Sequence, residues 1–186
     1  ITIGDYLSKK FAEPKTDVTT KEFVQAEKDV QARIDRLFAI KGTKTVDSIH
    51  KKLGNIMWDN VGMARDEKGL KKAIKEIQAL KEDFYKNVNV PGSQYEFNQE
   101  LEKALRLEDF FEIGELMARD ALNREESCGG HFRVESQTEE GEAKRDDAKF
   151  MYVAAWEYKG EGVEPELHKE PLKYEFIEVK TRNYKE

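Results

Sequence analysis

The residues best suited to chemistry lie close together in the second half of the chain. Cys128, His131 and Arg133 surround two consecutive glycines, 129 and 130. A thiol and an imidazole three residues apart could bind zinc or form a nucleophilic pair. A zinc site needs about four ligands, and no second Cys or His pair accompanies this one. No third group is evident to orient the imidazole. We therefore expect no metal site and no catalytic nucleophile, and we interpret Cys128 as a small residue in a tight turn.

His131 and Arg133 remain the best functional candidates, because residues two apart after a turn can project to the same side. Their spacing favours hydrogen bonds that fix the turn against neighbouring helices, and contact with a substrate is the alternative. Adjacent glycines allow backbone conformations that other residues avoid, so a helix should end near Ser127. Ser127 is interpreted as part of that helix terminus.

The composition narrows the class of protein. Hydrophobic and charged residues each make up 38% of the 186 residues, which fits helices with wide solvated faces better than a deeply buried sheet. The net charge is −6, with both signs interspersed, so we expect no nucleic-acid surface. No apolar run approaches the roughly 20 residues that cross a bilayer, and no direct membrane insertion is expected. A single cysteine excludes an internal disulfide and fits a reducing compartment.

Apolar residues recur at helical spacing before Ser127. The pattern predicts a short helix over residues 2–11 and longer helices over about 20–41, 46–64, 71–88 and 95–126. Ser93 and Glu96 have the spacing of a capping box for the last helix. The first and last of the long helices carry apolar stripes that we predict to be core: Phe23, Val30, Ile34, Leu37 and Phe38, and Phe97, Leu101, Leu105, Phe110, Ile113, Met117 and Ala121.

The chain changes character after the glycines. Residues 135–147 are polar and predict a loop, whereas residues 150–158 and 174–179 predict two strands. Two strands alone are marginally stable in water and need a surface to pack on. The expected fold is mainly α, an antiparallel three-helix (spectrin-like) bundle with a small β-strand C-terminal extension. The expected division is a helical bundle domain at 1–126 and a turn, loop and β-containing tail at 127–186.

Three segments resemble the succinate dehydrogenase/fumarate reductase flavoprotein subunits. Residues 124–133 resemble the family's Glu-Ser-Arg-Gly-Ala-His-x-Arg stretch, residues 57–70 its M-x(4)-G-x-x-R-x(4)-L helix, and residues 145–150 its R-D-D-x-x-W segment. They occur in the family's order, and the resemblance extends from about Asp29 to the end of the chain. Three positions depart from the usual pattern, with Cys128 in place of Arg, Gly130 in place of Ala and Phe150 in place of Trp.

The resemblance implies that this chain is the C-terminal helical domain and tail of a larger FAD-dependent oxidoreductase that interconverts succinate and fumarate. In that family FAD and substrate are bound by residues upstream of this region. We therefore expect no catalytic or cofactor-binding residue here, and an isolated chain that is inactive. The chain begins with Ile1 rather than Met, which fits a processed chain or an excised fragment.

The expected role is structural. The resemblance implies partners of three kinds: the protein's own FAD-binding domain, an iron–sulfur subunit and a membrane anchor subunit coupled to quinone. Ser127, His131 and Arg133 are the candidate docking residues for the FAD-binding domain. The implied location is the cytoplasmic side of the bacterial inner membrane, held peripherally through partner subunits. The alternatives are a stand-alone helical-bundle interaction module and the C-terminal domain of a related flavoprotein such as L-aspartate oxidase.

Overall fold

The computed structural model describes residues 2–9 and 17–180. Within them the fold is mainly α, which confirms the expected class. The helices are α1 (Thr2–Lys9), α2 (Lys21–Ala39), α3 (Val46–Val61), α4 (Glu67–Asn87), α5 (Gln99–Asn123) and α6 (Asp147–Phe150). The strands are β1 (Lys44–Thr45), β2 (Ala64–Arg65), β3 (Val88–Asn89), β4 (Phe132–Arg133), β5 (Tyr152–Glu157) and β6 (Glu166–Pro171). The end of the first predicted helix, with Phe11, lies outside the described residues.

Helices α3, α4 and α5 pack against one another around the main core. Gln78 of α4 bonds Glu115 of α5, and further along α4 Tyr85 bonds Glu108, so these two helices run in opposite directions. At the core, the rings of Phe84 and Phe111 lie 5.6 Å apart between centroids. Full burial of side chains of this size stabilises a fold by about 1.5–3 kcal/mol each.

Helices α3 and α5 approach each other closely. A Cβ built on Gly114 of α5 would lie 3.2 Å from the sulfur of Met57 on α3. Near the other end of the two helices, Lys103 of α5 pairs with Asp47 of α3 at 3.2 Å. The glycine therefore permits the close packing on which the buried face of α5 depends.

Each of these three helices begins with a side chain that accepts an N–H bond three residues on, and the caps are Thr45, Asp66 and Asn98. The predicted capping box was misplaced. The N–H of Ser93 does donate to Glu96 at 2.8 Å, but this contact forms a turn ahead of α5, which begins only after Asn98. The predicted helix over 46–64 was also too long, because α3 ends at Val61.

The apolar stripe predicted for α2 was wrong in its N-terminal half, whereas Ile34 is half-buried and Phe38 packs against the core. Leu37 is fully buried, whereas Phe23 and Val30 are 50% and 54% exposed. The reason is the extent of packing. Helix α2 contacts the bundle through α5 and β3, and both its buried residue and its ion pairs with α5 lie in its C-terminal half. The N-terminal half of α2 projects from the bundle.

The stripe predicted for α5 was also wrong in part. Phe97 precedes the helix and is 91% exposed, and Phe110, Ile113 and Met117 are exposed. Apolar residues occur on two faces of α5, and the close approach to α3 and α4 selects the face with smaller side chains. The buried α5 residues are Ala104, Leu107, Glu108, Phe111, Gly114, Ala118 and Ala121.

The first predicted strand corresponds to β5, but the second was wrong. Residues 174–179 form no strand, and β5 instead pairs antiparallel with β6, with Tyr152 opposite Pro171 and Glu157 opposite Glu166. Every β6 residue except the half-buried Leu167 is exposed, which accounts for its polar sequence. Backbone pairing with β5 therefore outweighs the low strand propensity of these residues. The inner face of this hairpin packs on α5 through Tyr152 and Trp156, whose indole N–H donates to Asp120 at 2.8 Å.

None of the helices in the described part of the chain has the length and apolar character that a bilayer crossing requires.

Candidate functional site

The double glycine forms a tight two-residue turn. The N–H of Cys128 donates to the carbonyl of His131 at 2.8 Å, and the N–H of His131 donates back to Cys128 at 3.0 Å. Gly129 has a φ of 59°. A left-handed residue at the first central position is typical of a type II′ turn and favours glycine there. The expected sharp turn is therefore present, although α5 ends at Asn123, before the predicted terminus.

Ser127 lies outside α5 and closes the base of this turn. Its hydroxyl accepts the N–H of Arg133 at 2.8 Å and donates to the carbonyl of Arg133 at 3.1 Å. Its own N–H donates to the carbonyl of Lys144 at 2.9 Å. The side chain is fully buried, and an unpaired hydroxyl would be costly in such a place. Ser127 therefore holds together the two arms of the turn.

Arg133 attaches the turn to the bundle. The residue is 3% exposed, and its Nη1 donates to the carbonyl of Ala121 at 2.9 Å and of Leu122 at 3.2 Å. These carbonyls belong to the last turn of α5, where the helix dipole favours a cation. Its Nε contacts the carboxylate of Glu135 at 3.2 Å. Helix carbonyls and one carboxylate thus compensate a buried positive charge.

His131 is half-buried beside the same helix end. Its Nε2 lies 2.7 Å from the carbonyl of Arg124, so this nitrogen carries the proton. Burial lowers the pKa of His131. The hydrogen bond to the Arg124 carbonyl opposes this shift, and the positive charges of Arg65, Arg133 and Arg124 reinforce it. The imidazole is consequently neutral at physiological pH, which suits a positioning hydrogen bond.

Arg124 and Glu126, which were not among the predicted site residues, also hold the turn in place. Arg124 donates to the carboxylate of Glu126 at 2.8 Å and to the carbonyls of Phe150 and Tyr152 at 2.9 and 3.0 Å. Glu126 is 3% exposed and also accepts the N–H of Asp146 at 2.9 Å. Arg124 and Glu126 lie within the family-like segment 124–133, but their contacts with residues 146–152 are long-range and give no signal in the local spacing.

The loop after α3 joins the turn through a short parallel ladder. Strands β2 and β4 pair Ala64 with Phe132 and Arg65 with Arg133. The carboxylate of Glu135 accepts the N–H of Glu67 at 2.6 Å. Burial alone would raise the pKa of Glu135, but hydrogen bonds from backbone N–H groups and from Arg133 lower it. The carboxylate is therefore ionised and can hold these segments together.

These contacts bring all three family-like segments, residues 57–70, 124–133 and 145–150, to one end of the bundle. The predicted docking residues are placed unequally there. The side chains of Ser127 and Arg133 are buried in internal hydrogen bonds, and His131 is half-buried. The Cys128 thiol is exposed. Backbone and thiol, rather than the serine or arginine side chains, form the outer edge of the turn.

The chain matches the family model described as the fumarate reductase flavoprotein C-terminal region over residues 50–184. It is 27% identical over 170 residues to a fumarate reductase flavoprotein subunit of Haemophilus influenzae, covering 91% of this chain and 27% of that relative. The chain thus spans about a quarter of the length of this relative.

Two solved structures share the fold. A chain of the Escherichia coli quinol fumarate reductase superimposes with a TM-score of 0.75 at 22% identity, covering 89% of this chain and 27% of that one. A chain of the Mycobacterium smegmatis Sdh1 complex superimposes with a TM-score of 0.72 at 24% identity, covering 91% of this chain and 27% of that one. The family match extends over most of the chain and contains all three segments that meet at the turn. The chain belongs to the succinate dehydrogenase/fumarate reductase flavoprotein family, as the C-terminal domain of such a subunit.

Proposed function

We propose that this domain is a docking element of an FAD-dependent enzyme that interconverts succinate and fumarate. FAD and substrate bind elsewhere in the longer protein, and this domain attaches to the FAD-binding part through the turn at residues 127–133. The observation that carries the proposal is that three separate segments converge on this turn. Such convergence fixes the shape of a surface, whereas it leaves few polar side chains free for catalysis.

Ser127, His131 and Arg133 act as positioning residues in this proposal. Ser127 and Arg133 use their polar atoms within the domain, and the Nε2 proton of His131 is engaged by the Arg124 carbonyl. These residues set the geometry of the turn, and the turn makes the contact. The isolated domain is accordingly expected to be inactive.

The surface that the turn offers is partly apolar. Met63 is 82% exposed and immediately precedes Ala64, which pairs with Phe132, so Met63 lies beside the turn. Trp58 is 83% exposed one helical turn before the end of α3. Exposed apolar side chains next to an accessible backbone are typical of a protein-binding surface. We call the surface beside the turn the turn face and define it by Met63, Cys128, Gly129, Gly130 and His131.

The tail at residues 127–186 is proposed to pack on the helical domain at residues 1–126. The buried Tyr152 accepts a hydrogen bond from Asn123, and the indole of Trp156 donates to Asp120 on α5. These contacts account for one face of the hairpin. The helices keep exposed surface that is proposed to meet the iron–sulfur subunit, which connects the flavoprotein to a quinone-binding membrane anchor. This assembly would hold the protein at the cytoplasmic side of the bacterial inner membrane.

The test uses the domain co-expressed with the FAD-binding remainder of the flavoprotein. Met63→Glu places a charge on the turn face and should weaken association at least about 10-fold, as expected when a buried apolar contact is lost. Met117→Glu is the matched control, because Met117 is an exposed methionine on α5 outside the turn face. Equal association of wild type and Met63→Glu, measured by co-purification and flavin content, contradicts the docking role of this face.

A further inference from the structure

The outer face of the β5–β6 hairpin carries three metal-ligating side chains. Glu157 lies opposite Glu166, and His168 lies two residues along the same strand as Glu166, so all three project to one side. One ligand atom from each lies within 4.8 Å of the others, and Nε2 of His168 is 2.7 Å from a carboxylate oxygen of Glu157. Across residues 2–9 and 17–180, this is the one group of three such ligands so closely spaced.

A cation is already held at this position. The ammonium group of Lys159 lies 2.8 Å from Glu157 and 2.7 Å from Glu166, between the two carboxylates. Ala155 is the residue opposite His168, and its small side chain leaves the imidazole accessible. The cluster is open to solvent, and its two carboxylates surround the ammonium group of Lys159.

We propose that Glu157, Glu166 and His168 form a binding site for a divalent first-row transition metal ion, with Zn²⁺ as the ion and Lys159 as the cation that it displaces. One imidazole nitrogen and two carboxylate oxygens, completed by water, form a ligand set that Zn²⁺ accepts. The imidazole favours such metals over Mg²⁺ and Ca²⁺, which prefer oxygen ligands. The site is separate from the turn face and does not depend on its docking role.

The other metal-like pair in the chain is less suitable. Cys128 and His131 have a favourable spacing, but Nε2 of His131 faces the carbonyl of Arg124, whereas Nε2 of His168 faces the carboxylate of Glu157, which is itself a proposed ligand. No third His, Cys or carboxylate ligand joins this pair among the described residues. The hairpin site is therefore the one to which Zn²⁺ should bind.

The test is a titration of the full chain with Zn²⁺ by isothermal calorimetry, together with Cu²⁺ paramagnetic resonance to count nitrogen ligands. The wild type should bind one Zn²⁺, and its Cu²⁺ spectrum should show a single imidazole nitrogen. His168→Ala should lower the affinity at least about 10-fold and remove the nitrogen signal. Lys159→Met should raise the affinity several-fold, because it removes the competing ammonium group.

Two variants serve as controls. His50→Ala removes another exposed imidazole and Cys128→Ser removes the thiol, and both should bind Zn²⁺ like the wild type. The proposal is overturned if the wild type binds no Zn²⁺, if Lys159→Met does not tighten binding, or if Cys128→Ser rather than His168→Ala abolishes it.

Discussion

The turn at residues 127–133 and helix α2 are both attached to the bundle by a buried charged side chain, and the two attachments differ in what surrounds the charge. In the turn, Arg133 is almost fully buried and donates to backbone carbonyls at the end of α5. On α5 itself, the 5% exposed Glu108 receives Arg33, Arg36 and Tyr85. Both arginines of that second network are about half exposed.

The difference indicates what each attachment can do. A buried cation on a helix terminus has fixed partners and little access to solvent, so it defines one geometry. An ion pair with a solvated partner is screened by water and salt and tolerates movement. The turn is therefore suited to present a fixed surface, whereas α2, with its projecting N-terminal half, is held more loosely.

The largest expected effect comes from the turn. Arg133→Met keeps the length of the side chain but leaves the carbonyls of Ala121 and Leu122 without their donor. We expect a loss of about 2–4 kcal/mol in the free energy of unfolding, measured by urea denaturation. Arg106→Met is the matched control, because Arg106 is an exposed arginine on α5 paired with Glu102, and it should cost about 0–1 kcal/mol. Similar losses for the two variants would remove the distinction between a buried and a solvated attachment.

A smaller effect is expected at the α2 attachment. Burial and the hydrogen bond to Glu108 raise the pKa of Tyr85, so the phenol stays a donor to this carboxylate. Glu108→Gln keeps an acceptor but removes the charge, and the two arginines can turn to water. The expected loss is about 1–2 kcal/mol. Glu112→Gln, at a half-exposed carboxylate paired with Lys81, is the control and should cost less.

Salt sharpens this second prediction. Arg33 and Arg36 are half exposed. The difference in the free energy of unfolding between the wild type and Glu108→Gln should therefore shrink in about 1 M NaCl, where the screening length is only about 3 Å. Most of the loss in the free energy of unfolding for Arg133→Met should persist, since the bonds from its Nη1 to the helix carbonyls involve no second charge that salt can screen. Only its contact with the exposed Glu135 is open to screening. If both differences shrink equally, the two attachments are not distinct in kind.

The sequence was a good guide to local features and a poorer one to packing. The glycines at 129 and 130 predicted the turn, because glycine adopts the positive-φ conformations that a tight turn requires and that other residues avoid. The exposure of Phe23 and Val30 could not be predicted from periodicity, since spacing shows that a stripe exists but not how much of it has a partner. The β6 strand was missed for a similar reason. Its polar residues have low strand propensity, and they form a strand because they pair with β5.

For the candidate site too, the sequence predicted local features but not long-range contacts. The sequence singled out Ser127, His131 and Arg133, which do meet at one turn. It did not indicate that Ser127 and Arg133 point inward, because that depends on where α5 ends and which carbonyls are left unpaired there. Arg124 and Glu126 were inside the quoted motif, and their pairing across to residues 146–152 is a long-range contact that spacing cannot reveal.

The smallest effect is expected from pH, at His131. Burial depresses the pKa of His131 in the folded chain, so the unfolded state takes up a proton first as pH falls below about 6.5. The stability that depends on a neutral His131 is thus complete above that pH and is lost as pH falls through the folded pKa. His131→Gln keeps an N–H donor for the Arg124 carbonyl but does not titrate. Between about pH 7.5 and 5.5, the urea midpoint of His131→Gln should fall less than that of the wild type. The prediction fails if the urea midpoints of the wild type and of His131→Gln change equally with pH. The half-buried edge of the turn would then behave like solvated surface, and the contrast with α2 would rest on Arg133 alone.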